Sequence, residues 1–124
     1  MFKRRTARRP DDRAEAALRK VLAQDEAMET AVAAHEEGRA HEAAGDDEAA
    51  VAAYLRSAAA WEARFRATGY GAPAGPYERL AILLRRAKEP DAEAAAIERY
   101  IAHAGRDVHP GMLVRLERVR ELQD

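Results

Sequence analysis

Apolar side chains recur at steps of three and four along most of this chain, the spacing that places them on one face of an α-helix. The first such stripe, between residues 11 and 44, consists of Leu18, Val21, Leu22, Met28 and Val32. The second stripe consists of Val51, Tyr54, Leu55, Ala58, Trp61 and Phe65. Three shorter stripes follow. The pattern predicts five or six helices, and the polar segment 24–26 leaves open whether residues 11–44 form one helix or two.

Helix boundaries are marked by residues that suit helix ends. Gly45 can take the left-handed conformation that ends a helix, and Asp46 can cap the next one. The segment GYGAPAGP at 69–76 contains too many glycines and prolines to be helical. Pro90 and Pro110 suit the first turn of the last two helices.

Composition supports the same fold class. The 124 residues include 31 alanines and only 28 larger apolar residues, so helices must pack closely through methyl groups. Alanine is the strongest intrinsic helix former. We therefore expect an all-α protein, with a single domain over residues 11–124 preceded by a disordered basic tail over residues 1–10.

Charge, cysteine content and the lengths of the apolar runs limit the kinds of site and the cellular compartment that the sequence allows. The net charge is −1, but residues 1–9 carry five basic groups and no acid. The absence of cysteine excludes disulfides and thiolate metal sites. No apolar run has the length of a membrane span or of a secretory signal, which favours a cytoplasmic protein.

The segment GRAHEAAGDDEAAVAAY contains four residues at informative intervals, which are Gly38, Gly45, Ala50 and Tyr54. This arrangement resembles the first unit of a tetratricopeptide repeat (TPR), a helical hairpin of about 34 residues. In that family a small residue lets the two helices approach, a second ends the first helix, and an alanine and an aromatic close the pair. A weaker second unit aligns Leu84 on its first helix with Ala96 and Tyr100 on its second.

The resemblance covers roughly residues 31–104 and implies hairpins stacked as a short TPR-like right-handed superhelix. The two Ala–Tyr pairs are 46 residues apart, which makes Arg39 equivalent to Arg85 and Glu42 equivalent to Lys88. The alternative fold is an irregular helical bundle with similar hairpins.

The resemblance also implies a function, because the family binds peptides or partner proteins on the concave face formed by the first helix of each unit. In this chain that face would contain Val32, His35, Arg39, Glu42, Ala43, Glu78, Ala81, Arg85, Lys88 and Glu89. The candidate partner-binding residues are His35, Arg39, Glu42, Arg85 and Lys88. Arginine forks suit carboxylates, so a peptide carboxylate is the expected ligand.

Two units form a shallow groove, and solenoids usually need three or more for stability. The flanking helices (11–30 and 110–122) therefore either cap the stack, or the chain forms a homodimer. The apolar face of the last helix is buried within the chain in a monomer and against a second copy in a dimer, and with only two units and a core of small volume we favour the homodimer.

The sequence offers no catalytic constellation, and we expect neither an enzyme nor a cofactor. Glu37 and His41 are four apart, but no third metal ligand accompanies them. Ser57 has no nearby base, and the scattered carboxylates are typical of solvated helix faces. The alternative to an adaptor or self-associating scaffold is a nucleic-acid-associated accessory protein that acts through the basic tail. A small-molecule-binding bundle or an enzyme is the remaining class.

Overall fold

The computed structural model describes residues 10–123. Within them the chain forms only helices, in the order α1 (Pro10–Ala43), α2 (Asp47–Thr68), α3 (Gly75–Arg86), α4 (Pro90–His103) and α5 (Pro110–Leu122). The protein is all-α, and residues 11–43 form one helix rather than two. The predicted basic tail lies outside the described residues, except that Pro10 already belongs to α1.

The α1–α2 turn has the geometry that its glycine predicts. Gly45 has a φ of +79°. Its N–H donates to the carbonyl of Glu42 at 3.0 Å, and the Asp46 N–H donates to the carbonyl of His41 at 2.9 Å. This pair of bonds is the Schellman motif that ends a helix at a left-handed residue. The Asp46 carboxylate then accepts from the Ala49 N–H at 3.1 Å and caps α2.

The two helices of this first hairpin cross at Gly38. A Cβ at Gly38 would lie 2.5 Å from Cε1 of Tyr54, and the Tyr54 ring is fully buried. Ala50 is also fully buried, one turn earlier on α2. The absence of a side chain at Gly38 therefore creates the space that the tyrosine ring occupies.

The α3–α4 turn repeats the Schellman motif with a lysine in place of the glycine. Lys88 has a φ of +61°, and the Glu89 N–H donates to the carbonyl of Leu84 at 3.0 Å. Gly45 and Lys88 thus occupy the same turn position, 43 residues apart. The predicted offset of 46 residues was wrong. In the observed register Glu42 corresponds to Arg85, so neither predicted equivalence, Arg39 with Arg85 or Glu42 with Lys88, is correct.

The loop between the hairpins is held against the far end of α4. The Ala72 N–H donates to the carbonyl of His103 at 2.8 Å, and Gly71 lies against the backbone of Ala104. Gly69 ends α2 with a φ of +79°. Pro76 lies in the first turn of α3, as the sequence predicts.

Each helix makes its main contacts with its neighbours in sequence: α1 with α2, α2 with α3, α3 with α4, and α4 with α5. The larger buried cluster contains residues from α2, α3, α4 and α5, among them Tyr77, Ile97 and Tyr100. The predicted apolar face of α5 contributes Met112 and Leu116 to this cluster. The face that a homodimer would cover is therefore largely buried within the chain, because α5 folds back onto α4.

The apolar stripe of α1 does not cap the stack. Its five large side chains are between 36% and 58% exposed, and α1 instead turns its small residues Ala31, Ala34 and Gly38 toward α2. At 1.5 Å per residue α1 is about 51 Å long and α2 about 33 Å, so the first turns of α1 extend beyond its partner helix.

Candidate functional site

A groove between α1 and α3 contains three of the five predicted partner-binding residues. His35, Arg39 and Glu42 line it from α1, and Gly75, Glu78 and Arg79 line it from α3, around a volume of about 470 Å³. Residues of α1 and α3, the first helices of the two hairpins, therefore line one common groove.

Glu42 is a structural link at the floor of the groove. Its carboxylate accepts hydrogen bonds from the Tyr54 hydroxyl and from both Nε and Nη2 of Arg79, so it joins α1, α2 and α3. The hydrogen bonds from Arg79 lower the pKa of Glu42, against the opposing effect of burial. Burial and the bond to Glu42 raise the pKa of Tyr54 to about 12. Since all these groups are mutually paired, Glu42 has little capacity to bind a partner.

His35 forms one wall of the groove as a largely apolar ring. Its ring centroid lies 5.2 Å from that of Tyr54, with the planes tilted by 56°. Burial is the main cause that lowers the pKa of His35, and Arg39 lowers it further. Its Nδ1 atom is buried and has no hydrogen-bond partner among the described residues. The imidazole is therefore neutral at pH 7 and supplies a polar edge without charge.

Arg39 and Glu78 are the charged groove residues that have no ion-pair partner among the described residues. Arg39 is exposed on α1 and Glu78 is half-buried on α3. Neither makes a side-chain hydrogen bond or an ion pair with the residues from 10 to 123. The groove thus presents a guanidinium on one wall and a carboxylate on the other.

Arg85 and Lys88, the other two predicted residues, lie apart from this groove. They line a smaller depression of about 320 Å³ together with Glu89, Pro90, Glu93 and Leu122. Arg85 donates from Nε to the buried carboxylate of Glu93 at 2.7 Å. The structure therefore does not join the five predicted residues into one surface.

Sequence reasoning missed the polar cluster around Glu62, which was expected to be a solvated carboxylate. Glu62 is only 6% exposed and accepts two hydrogen bonds from Arg99, at 2.5 and 2.8 Å, and one from the Tyr77 hydroxyl at 2.8 Å. Burial raises the pKa of Glu62, but the bonds from Arg99 and Tyr77 outweigh it and lower the pKa overall. This cluster ties α2 to α3 and α4.

Other residues considered for chemistry have structural partners. Ser57 is buried and donates to the carbonyl of Ala31 at 2.6 Å, and Glu37 pairs with Arg56 at 2.7 Å. No group of three potential metal ligands comes together within residues 10–123. In that same range, no helix combines the length and apolar character needed to cross a membrane.

The largest depression, of about 910 Å³, lies between the two loops 69–74 and 104–110 at the opposite end of α4 from the turn at Lys88. Exposed residues such as Tyr70 and buried residues such as Ala72 and Ala104 line it. None of the described buried polar atoms without a partner belongs to a residue that lines it.

Comparison with known protein families, curated proteins and solved structures finds no match to this chain. The groove between α1 and α3 is therefore interpreted from its own residues.

Proposed function

We propose that the protein is a non-enzymatic interaction module of the TPR-like type, which binds a peptide or a segment of a partner protein in the groove between α1 and α3. Two observations on the fold support this class. The two hairpins share the same Schellman turn, and their first helices flank a common groove. The groove is open and polar, which suits an extended chain better than a small apolar ligand.

The observation that carries the proposal is the free guanidinium of Arg39. It is exposed, it has no ion pair among the described residues, and it stands beside the fixed pair of Glu42 and Arg79. A guanidinium can donate two parallel hydrogen bonds to one carboxylate, and such charge-assisted bonds are stronger than neutral ones. Glu78 on the facing wall would receive a cationic or N–H group of the same segment. The ligand class is therefore a peptide segment with a carboxylate, from a side chain or from the C-terminus.

The test is peptide binding by fluorescence anisotropy, using an eight-residue acidic peptide with a free C-terminus. Its amidated, lysine-substituted counterpart serves as the ligand control. We expect the acidic peptide to bind better, and Arg39→Glu to weaken it at least tenfold. A charge-assisted hydrogen bond contributes about 1.5–3 kcal/mol, and 1.4 kcal/mol corresponds to tenfold.

Arg118→Glu provides a matched control, because Arg118 is exposed on α5 and makes no ion pair within residues 10–123. Its charge change is the same, but its position is remote from the groove. If the chain binds neither peptide, or if both variants weaken binding equally, the groove is not the binding site.

A further inference from the structure

The unpartnered apolar face of α1 is a second surface that the groove does not use. We call its five large side chains, Leu18, Val21, Leu22, Met28 and Val32, the α1 stripe. They recur at steps of three, four and seven over 15 positions, about 21 Å along the helix. All are at least 36% exposed. A helix that is apolar on one side buries that side in its functional state, and an exposed stripe of this size marks an interaction surface.

Spacing within the stripe points to a helix as the complementary shape. Leu18 and Val32 are separated by two heptads, with Asp25 at the position between them, and Val21 and Met28 are separated by one heptad. Two apolar positions repeated every seven residues form the seam along which one α-helix packs on another. The partner segment is therefore an amphipathic helix of about four turns, rather than an extended strand.

The charged residues beside the stripe indicate which charge a partner helix carries. Asp25, Glu29 and Glu36 lie on the same side of α1 as the stripe, and residues 23–38 contain no lysine or arginine. Two basic residues lie between Leu18 and Val21: Arg19 is paired with Glu15, and Lys20 is on the side of the helix away from the stripe. Asp25 and Glu29 line one shallow depression together with Met28 and Val32, so these carboxylates border the apolar surface directly. None of the three acids makes an ion pair among the described residues. A complementary helix carries lysine or arginine beside its apolar face.

The same charges argue against a second copy of this chain as the occupant. In an antiparallel pair that buries the whole stripe of both copies, the two-fold axis passes close to Asp25, the midpoint between Leu18 and Val32, and in a parallel in-register pair Asp25 also faces its own copy. A two-fold interface brings identical patches together. Asp25 of one copy would then face Asp25 of the other, and like charges in contact are unfavourable.

We propose that the α1 stripe is the docking surface for a basic amphipathic helix of another protein. The apolar side chains of that helix pack on the stripe, and its flanking lysines or arginines pair with Asp25 and Glu29. The surface is separate from the groove between α1 and α3, so the proposal stands independently of the proposed function.

The experiment uses two 21-residue helical peptides with the same leucine and alanine face, one flanked by lysines and the other by glutamates. Binding to the full chain is measured by fluorescence anisotropy at low and at moderate salt. We expect the lysine-flanked peptide to bind at least tenfold more tightly, with an affinity that falls as salt rises. The double variant Asp25→Lys, Glu29→Lys should reverse this preference.

Met28→Ser with Val32→Ser should weaken the lysine-flanked peptide at least tenfold. Leu113→Ser is the matched control, because Leu113 is 45% exposed on α5 and lies outside the stripe. Both variants change exposed side chains, and circular dichroism checks that they remain helical. Equal binding of the two peptides, no binding at all, or unchanged binding by the serine double variant would overturn the proposal. A dimer of the free chain in sedimentation that the same double variant dissociates would replace it with self-association.

Discussion

Gly38→Ala gives the most direct test of the first hairpin. In an isolated helix this change is stabilising by about 0.5–1 kcal/mol, because alanine loses less backbone entropy than glycine. In this protein the new methyl carbon would lie 2.5 Å from Cε1 of Tyr54 and 2.7 Å from both Cδ1 and Cζ. The ring cannot move away freely, since it is fully buried and its hydroxyl is bonded to Glu42.

The magnitude follows from these opposing effects. Inserting a methyl group into a well-packed core costs about 1–3 kcal/mol. Three ring atoms within 2.7 Å place this insertion in the upper half of that range, at about 2–3 kcal/mol. After the gain in helix propensity of about 0.5–1 kcal/mol is subtracted, we expect a net loss of about 1–2.5 kcal/mol. For a domain of this size 1 kcal/mol corresponds to roughly 4 °C, so the melting temperature should fall by about 4–10 °C.

Urea and thermal unfolding followed by circular dichroism measure the effect. Gly75→Ala is the matched control: its Cβ would meet only His35 Cε1, at an ordinary 3.5 Å, so no loss is expected. In a Tyr54→Leu background, Gly38→Ala should be neutral or stabilising, because the clashing ring is gone. A Gly38→Ala variant as stable as the parent chain would refute the close crossing of α1 and α2.

Three other perturbations test separate parts of the structure. Gly45→Val should lower the free energy of unfolding by at least about 1 kcal/mol in urea, because φ is +79° there, whereas Lys88→Gly should not lower it. An equal loss in both variants would contradict the two matching turns. Acidification should destabilise the fold, because folding lowers the pKa values of Glu42 and Glu62. The contribution of these two carboxylates to the free energy of unfolding is complete above the ordinary glutamate pKa, and it is lost as the pH falls through their folded-state pKa values. Replacing both with glutamine should flatten the dependence of the urea midpoint on pH below about 5, and an unchanged slope would exclude these two groups. Removing residues 109–124 deletes three buried side chains, each of which contributes about 1.5–3 kcal/mol to folding stability. Sedimentation of the truncated chain should therefore show unfolded or aggregated protein. A stable monomer would contradict the packing of α5.

Helix boundaries were predictable because their causes are local. A glycine that accepts a positive φ, an aspartate that caps the next turn, and prolines that fit a first turn all act within a few residues of sequence. Gly45, Asp46, Pro90 and Pro110 accordingly lie where those roles require. The five helices and the all-α class follow from them.

The register of the second hairpin was not predictable in this way. The sequence predicts a tight turn at 88–91, but lysine has no intrinsic preference for the left-handed region, so nothing marks Lys88 as the residue that adopts it. Aligning the second unit by its Ala–Tyr pair therefore placed its turn three residues C-terminal to the observed turn. The turn conformation at Lys88 is imposed by the packing of α3 on α4, which sequence periodicity does not describe.

The polar links and the exposed stripe depend on tertiary packing as well. Glu62 and Arg99 are 37 residues apart, as are Glu42 and Arg79, and their pairing needs the observed crossing of the helices. Periodicity groups the large apolar residues of α1 on one face, but it gives no information on which face a neighbouring helix covers. In α1 the small residues fit against α2, and the large ones are left outside.

The sequence-neighbour packing of the five helices has a consequence for how the chain folds. Contacts that join adjacent helices require only short loops to close, so little loop-closure entropy is lost before each contact forms. Either hairpin can serve as a nucleus, and structure can then propagate helix by helix toward the ends. Amide hydrogen exchange should therefore be slowest in α2 to α4, which have neighbours on both sides, and fastest in the overhanging first turns of α1.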